Sequence, residues 1–239
     1  MNALEIKNLS KSFDGFALQN VSLTLPMGSA LGLIGENGAG KSTTISLLLG
    51  QLRRDGGEIF LLGQSAGENS AAIREGIGVV FDESCFPDGL NARQVDKVER
   101  CIYKNWDSGA YFEHIRRFDL PETKPFKTYS RGMKMKLALA VALSHKAKLL
   151  LLDEATGGLD PLARDELIGE LTAFIADGEH AILLSSHIVS DIEKLCDRVA
   201  FLHRGKLILS EEKEALLAAH PGRTLEEIIL DITRREREK

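Results

Sequence analysis

The chain contains little cysteine and no long hydrophobic run. Of its 239 residues only three are cysteines, Cys85, Cys101 and Cys196, and they form no C-x-x-C pair. This excludes a disulfide framework or a zinc site and is typical of a reducing compartment. The longest apolar run, Leu137 to Leu143, is far below the ~20 residues that cross a bilayer, and residues 1–7 lack the basic start of a secretory signal. We therefore expect a soluble protein that acts at a membrane only through a partner.

The chain also lacks an excess of positive charge. Its net charge is −5, with 44% hydrophobic and 27% charged residues. This balance gives no general electrostatic reason to bind nucleic acid, so we expect no nucleic-acid partner. A chain of this length buries a sizeable core, either as one large α/β domain or as two lobes.

One segment is more informative than the rest: residues 35–42 match the pattern G-x-x-x-x-G-K-[ST]. An apolar run at 31–34 precedes it and a helical segment at 43–49 follows, which is the context of a phosphate-binding loop. Glycines let successive backbone N–H groups face one anion, and the helix N-terminus adds positive potential. The alternative, an ordinary glycine-rich turn, does not explain the Lys-Ser pair at its end. The sequence therefore predicts that the chain binds a nucleoside triphosphate.

Each position of this loop has a predicted task. Lys41 is expected to reach the β- and γ-phosphates, and the Ser42 hydroxyl to complete a Mg²⁺ shell. The residues predicted to contact the phosphates are Gly35, Glu36, Asn37, Gly38, Ala39, Gly40, Lys41, Ser42 and Thr43.

Two kinds of strand pattern occur along the chain. Half-exposed antiparallel strands are predicted where apolar and polar residues alternate, at 4–7 and 21–25, with a third candidate at 58–62 after a glycine turn. Uniformly apolar runs, separated by helical patterns, favour a parallel sheet buried on both faces; they lie at 77–81, 149–152, 181–184 and 199–202.

Between residues 82 and 143 the pattern is helical. Helices are predicted at 91–104, 108–118 and 131–144, which suggests a helical insertion into the α/β core. Another helix is expected from Asp160 (N-cap) and Pro161 to Gly178. Thr224 and Glu227 form a capping box that opens a C-terminal helix.

Asp153 and Glu154 follow directly after the apolar strand at 149–152. A carboxylate at the end of a buried strand beside a phosphate loop is where Mg²⁺ needs an acidic partner, so we assign that role to Asp153. Glu154 is placed to accept a proton from an attacking water. The alternative is that the Asp-Glu pair only ends a hydrophobic strand.

In these motifs and their order the chain resembles the ATP-binding subunits of ABC transporters along nearly its whole length. Residues 35–42 look like the family's Walker A loop, and 149–154 like its Walker B strand with catalytic glutamate. The resemblance implies adenine stacking by Phe13, a D-loop role for Asp160 and a γ-phosphate contact by His187. Each has a plainer alternative: β-strand packing for Phe13, a helix cap for Asp160 and an ordinary loop histidine for His187.

The family's signature, Leu-Ser-Gly-Gly-Gln, is altered here. Residues 129–133 read Tyr-Ser-Arg-Gly-Met, which keeps Ser130 and Gly132 and replaces a glycine by Arg131. In the family this segment contacts the γ-phosphate of ATP on the opposite subunit, and a hydroxyl at a helix N-terminus suits an anion. An ordinary N-capped helix is the alternative.

A second departure lies at the end of the strand at 77–81. Asp82 stands where the family has a glutamine that binds Mg²⁺ or its water. A carboxylate still offers the hard oxygen that Mg²⁺ prefers, so Asp82 joins Ser42 and Asp153 as a predicted metal residue. A solvent-facing hinge carboxylate is the alternative.

The resemblance implies a P-loop NTPase fold: a RecA-like parallel sheet, an N-terminal antiparallel β lobe and an inserted helical lobe. We expect one ABC ATPase domain over 1–239, with core and β lobe at about 1–81 and 148–220, the helical lobe at about 83–147 and the C-terminal helix at 224–239. The expected cofactors are ATP and Mg²⁺.

The implied function is that of an ATPase that dimerises on ATP and powers transport through separate permease subunits. Catalysis is assigned to Glu154, His187 and Lys41, and Ser130, Gly132 and Asp160 act across the dimer interface. The second ATPase subunit is either a copy or a different chain, and the location is the inner face of the cell membrane. A tail like that of exporter subunits at 225–230 favours export.

Other classes fit less well. ABC ATPases of DNA repair need a long coiled-coil insertion, translation-factor relatives carry two phosphate loops, and a GTPase needs an Asn/Thr-Lys-x-Asp motif. A small-molecule kinase leaves Ser130, Asp160 and His187 unexplained. A nucleotide-gated regulatory module stays open as the alternative, because Asp82 and Arg131 are atypical.

Overall fold

Ten strands form one mixed sheet in the computed structural model, which describes residues 1–66, 70–82 and 86–237. In chain order the strands are β1 (Asn2–Phe13), β2 (Phe16–Pro26), β3 (Ala30–Ile34), β4 (Gly56–Leu61), β5 (Gln64–Ser65), β6 (Ile77–Phe81), β7 (Leu149–Asp153), β8 (Ala181–Ser186), β9 (Arg198–His203) and β10 (Lys206–Glu212). Their order across the sheet is β5-β4-β1-β2-β10-β9-β3-β8-β7-β6.

The sheet has an antiparallel part and a parallel part, as the sequence predicts. Strands β1, β2 and β4 pair antiparallel, and β9, β3, β8, β7 and β6 are parallel neighbours. Strands β1 and β2 are longer than predicted, at 12 and 11 residues. Strand β10 was not predicted; it runs antiparallel to β9 and bridges to β2.

The parallel strands are buried on both faces, which explains their uniformly apolar sequences. In β7 the side chains of Leu149 and Leu151 pack into the cluster that includes β1, β2 and α1, and those of Leu150 and Leu152 into the cluster that includes α5 and α6. This arrangement fixes the end of β7, where the acidic pair lies, to a rigid core.

Helices fill the segments between the strands. They are α1 (Lys41–Leu48), α2 (Ser70–Glu75), α3 (Ala92–Ile102), α4 (Ser108–Arg117), α5 (Arg131–Leu143), α6 (Pro161–Ile175), α7 (Val189–Leu195), α8 (Lys213–Ala219) and α9 (Leu225–Arg237). Helix α1 begins two residues before the predicted start at 43, because Gly40 rather than a side-chain cap begins it. Among the described residues, no helix is long and apolar enough to span a bilayer.

The predicted helical insertion is present as α3, α4 and α5, between β6 and β7. Each begins at a polar cap, because Asn91, Asp107 and Ser130 accept hydrogen bonds from the first turn. Gly78 in β6 lets α5 lie close, since a Cβ there would be 2.9 Å from the Ala142 Cβ. The predicted boundary of the helical lobe at 83, together with Cys85 and the last two residues of the C-terminal helix, lies outside the described residues.

The turn between β9 and β10 joins the two parts of the sheet. Gly205 has φ +77° and donates from its N–H to the Ala39 carbonyl at 2.9 Å, and its own carbonyl accepts from Gln19 N at 2.8 Å. A Cβ at this position would lie 1.9 Å from the Ala17 carbonyl oxygen. Only glycine fits this close backbone approach.

Candidate active site

The phosphate loop connects β3 to α1, as predicted. Gly38 and Gly40 have φ of +80° and +111°, values that favour glycine, and Gly40 occupies the N-cap of α1. Gly35 is required by space, since a Cβ there would lie 2.6 Å from the Leu202 carbonyl oxygen. Because no side chain caps α1, its first N–H groups are available to an anion.

Lys41 is folded back onto the loop in this structure. Its side chain is only 5% exposed, and Nζ donates to the carbonyls of Gly35 at 2.7 Å and Glu36 at 3.3 Å. The same Nζ lies 3.0 Å from Oε1 of Glu154. Lys41 thus joins the phosphate loop to the acidic pair after β7.

Glu154 lies between two predicted partners. Its Oε2 is 2.7 Å from Nδ1 of His187, and its side chain is 17% exposed. Oε1 accepts no hydrogen bond from the described residues, so the contact with Lys41 is an ion pair without hydrogen-bond geometry. Glu154 is therefore in direct contact with both other predicted catalytic groups.

Asp153 occupies the end of β7, but the phosphate-loop strand is not its neighbour. Strand β8 lies between β7 and β3, and the register places Ser185 beside both Asp153 and Leu33. The Ser185 hydroxyl donates to Oδ1 of Asp153 at 2.6 Å. Sequence reasoning missed Ser185, although a serine pair directly after the apolar run at 181–184 was a visible signal.

Asp82 follows β6, whose last residue Phe81 is in register with Asp153. Its carboxylate forms an ion pair with the guanidinium of Arg131. The two departures from the family pattern therefore contact each other. The metal role of Asp82 stays a prediction.

The signature segment forms the N-terminus of α5. Ser130 caps this helix, with Oγ accepting from Met133 N at 3.2 Å. The adjacent N-terminus is that of α6, capped by Asp160 through bonds from Leu162 and Ala163 at 3.1 and 3.0 Å. A Cβ on Gly132 would lie 3.4 Å from that of Ala163, so the two helix ends are side by side. Ser130 and Asp160 are exposed there.

Tyr129 anchors this segment to the interior. Its hydroxyl donates to the Pro121 carbonyl, and its ring packs edge-on against Phe126 with centroids 5.1 Å apart. Burial raises the pKa of the Tyr129 phenol, which keeps it a neutral donor.

Phe13 lies at the end of β1 and is 43% exposed. Its ring centroid is 6.3 Å from that of Phe16, and the Phe16 ring in turn lies 3.0 Å from the Cβ position of Gly40. An exposed aromatic ring is thus linked through Phe16 to the phosphate loop, and its role in stacking on adenine stays a prediction.

One contact at the loop was not predicted. Arg237 of α9 forms an ion pair with Glu36, across 201 positions of the chain. No local pattern indicates a contact over that separation. The C-terminal helix therefore reaches the phosphate loop.

The sequence profile of a family described as ABC transporter matches residues 18–157. The chain belongs to the ABC transporter family. This membership confirms the ATP-binding and ATPase function predicted from the sequence, and the mixed sheet confirms the predicted fold class.

Individual relatives agree with this assignment. The lantibiotic transport ATP-binding protein SrtF of Streptococcus pyogenes is 36% identical over 87% of this chain and 90% of its own length. The Nod factor export ATP-binding protein I of Rhizobium sp. (strain N33) is 33% identical over 92% and 74%. A solved ATP binding subunit of an ABC transporter is 26% identical, with a TM-score of 0.88 over 97% of this chain and 99% of that one.

Proposed function

We propose that this ABC ATPase hydrolyses ATP with Glu154 as general base and thereby drives export through separate membrane-spanning subunits. The observation that carries the proposal is the contact of Glu154 with both His187 and Lys41 beside the phosphate loop. A carboxylate that a neighbouring group orients is suited to take a proton from a water within hydrogen-bond reach.

Lys41 supplies the link between binding and catalysis. In this structure its ammonium group neutralises Glu154 and bonds the loop carbonyls. A triphosphate in the loop offers stronger negative charge, so Lys41 turns to the β- and γ-phosphates. Oε1 of Glu154 is then released and can accept the proton of a water.

The chemical step follows from these positions. The oxygen of a water forms a bond to the γ-phosphorus, its proton passes to Glu154, and the bond from that phosphorus to the bridging oxygen of ADP breaks. His187 holds Oε2 of Glu154 through Nδ1, which leaves the other edge of its ring for the γ-phosphate. Positioning and charge stabilisation are the main sources of rate in such phosphoryl transfer.

Mg²⁺ fits the donors at this site. Asp153 and Ser42 offer a carboxylate and an exposed hydroxyl, and among the described residues no group of three or more His, Cys, Asp or Glu side chains could hold a metal ion by itself. Mg²⁺ is commonly bound by one or two carboxylates together with substrate phosphates, and it neutralises charge developing on them. Asp82 is a further candidate ligand.

The proposed ATP-bound form is a head-to-tail pair with a second ATPase subunit. Ser130, Gly132 and Asp160 lie together at two exposed helix N-termini, and the ion pairs and hydrogen bonds of the described residues do not join them to Lys41. Within this surface, the Ser130 hydroxyl and the first N–H groups of α5 offer donors to an anion. In the pair it contacts the phosphates held by the other subunit.

Relatives support export as the direction. One is named for Nod factor export and others for lantibiotic and bacitracin transport. The regulatory alternative gains no support from any of them. We propose that the chain lies on the inner face of the cell membrane, held there by its permease.

The test is the variant Glu154→Gln, with the exposed Glu214→Gln as matched control. We expect turnover to fall by about a hundredfold or more, the effect of losing a general base, with ATP binding retained. Light scattering should show a dimer only with ATP and Mg²⁺. Retained turnover would remove Glu154 as the base. A monomer at saturating ATP would contradict self-pairing and point to a different ATPase partner.

A further inference from the structure

The guanidinium of Arg131 joins three loops of the molecule. Arg131 is the first residue of α5, and it pairs with the Asp82 carboxylate after β6. Its flat face lies over the turn after Glu154: a Cβ on Gly158 would be 3.0 Å from Cζ and Nη1. A Cβ on Gly157 would be 3.8 Å from Nη2. Arg131 is thus packed against backbone rather than directed at solvent alone.

The turn beneath Arg131 carries two of the proposed functional residues. It begins at Glu154, which has φ +51° and whose backbone carbonyl accepts from Gly157 N at 3.0 Å, and it leads directly to the cap Asp160. Gly158, at φ +67°, has no side chain that could fill the space Arg131 occupies. A shift of this turn therefore moves Glu154 and Asp160 together.

Asp82 fixes the position of the guanidinium. It directly follows Phe81, which is in ladder register with Asp153 of the rigid sheet. Both partners are half-exposed, Arg131 at 48% and Asp82 at 47%. An ion pair this exposed contributes little to the free energy of unfolding. Its effect on turnover would therefore come from where it places the arginine. The planar fork of arginine is suited to this, whereas a lysine ammonium is not.

We propose that Arg131 is a positioning residue for the catalytic centre: Asp82 holds its guanidinium on Gly157–Gly158, and this contact sets the turn that carries Glu154 and Asp160. The inference rests on the proposed assignment of Glu154 as the base. It gives Asp82 a task within its own chain, through Arg131, and it explains why both family departures occur in one molecule.

The test is a double-mutant cycle of Asp82→Ala and Arg131→Ala in the full chain. Each single variant should lower kcat about three- to tenfold, the scale of a small misplacement of a catalytic group, with KM for ATP nearly unchanged. The double variant should be no worse than either single one. Arg131→Lys should restore little of the kcat that Arg131→Ala loses. Lys134→Ala, which removes the neighbouring α5 pair with Asp88, is the matched control and should leave kcat unchanged.

Two further readouts separate positioning from other roles. Amide hydrogen exchange of residues 155–160, measured without nucleotide, should be faster in Asp82→Ala and in Arg131→Ala by the same factor. The Mg²⁺ concentration for half-maximal turnover should be unchanged in both. Unchanged exchange, or losses that add in the double variant, would overturn the inference. A raised Mg²⁺ requirement in Asp82→Ala alone would instead place Asp82 at the metal. Amide hydrogen exchange is measured without hydrolysis. Its outcome therefore does not depend on the outcome of the Glu154→Gln test.

Discussion

Two ion pairs near the proposed site, Lys41–Glu154 and Arg131–Asp82, differ in how much of their side chains is exposed to water. On the phosphate-loop side, Lys41 is buried and Glu154 is mostly enclosed, with 5% and 17% of their side chains exposed. On the signature side, Arg131 and Asp82 have nearly half of their side chains in solvent. Both are ion pairs, and each includes a residue beside the proposed chemistry.

The two ion pairs therefore act in different ways. Unit charges 4 Å apart interact by about 4 kcal/mol near a partly desolvated surface and by about 1 kcal/mol in water. The enclosed pair is therefore sensitive to the loss of either partner, and it holds charge ready for a substrate. The exposed pair can influence the reaction through geometry, with little effect on stability.

The largest contrast is expected from Lys41→Met against Arg131→Met. Lys41→Met leaves the mostly enclosed Glu154 without its ammonium partner. We expect about 2 kcal/mol less unfolding free energy, below the usual cost of a broken buried pair because His187 remains. Turnover should fall about a hundredfold or more, as when one transition-state donor is lost. Urea titrations and steady-state assays measure both.

For Arg131→Met the expected loss of unfolding free energy is below about 1 kcal/mol, the usual range of an exposed pair. Equal losses in the two variants would show that burial does not distinguish the regions.

A smaller effect should separate capping from trans contact at Ser130. Aspartate caps helices as well as serine does, so Ser130→Asp should keep the unfolding free energy within about 0.5 kcal/mol. Its carboxylate would repel the phosphate proposed to lie there, and turnover should fall about tenfold or more. Ser130→Ala is the control for the cap and should lower the free energy of unfolding by about 1 kcal/mol.

If Ser130→Asp hydrolyses ATP at the normal rate, Ser130 is a helix cap alone. The head-to-tail assignment of the signature would then be wrong.

The smallest effect is expected in the pH dependence of stability, and it concerns the buried His145, which is not part of an ion pair among the described residues. Burial lowers the pKa of His145, which stacks on Tyr103 with centroids 4.0 Å apart and bonds the Glu75 carbonyl through Nδ1. The unfolded chain then binds the proton more readily, so unfolding free energy should fall as pH falls below about 6.5.

His145→Phe keeps the stacking and removes this proton. Its melting temperature should change less between pH 7.5 and 5.5 than that of the unaltered chain; His114, whose pKa burial also lowers, supplies a remaining slope. Identical slopes would show that His145 does not titrate differently on folding.

Local features of the site could be predicted from the sequence. The phosphate loop, the strand before Asp153 and the caps at Asp160 and Thr224 each depend on neighbours within a few positions. The Thr224–Glu227 capping box is confirmed by reciprocal bonds of 2.9 and 3.2 Å. Short-range patterns are sufficient there because capping and turn chemistry are local.

Contacts over long distances in sequence could not be predicted. The position of β8 between β3 and β7 gives Asp153 its serine partner, and no single strand pattern reveals strand order. The Asp82–Arg131 pair spans 49 positions. Each residue looked like a separate departure from the family, and only the fold shows that they meet.

The turn at Gly205 affects the distance between Phe13 and the phosphate loop. Through backbone bonds it joins the phosphate loop at Ala39 to β2 at Gln19, and β2 pairs with the strand that carries Phe13. Main-chain hydrogen bonds therefore help to hold the distance between the strand end that carries Phe13 and the phosphate loop. The backbone at these two places therefore keeps its separation independently of any side chain that would touch a ligand.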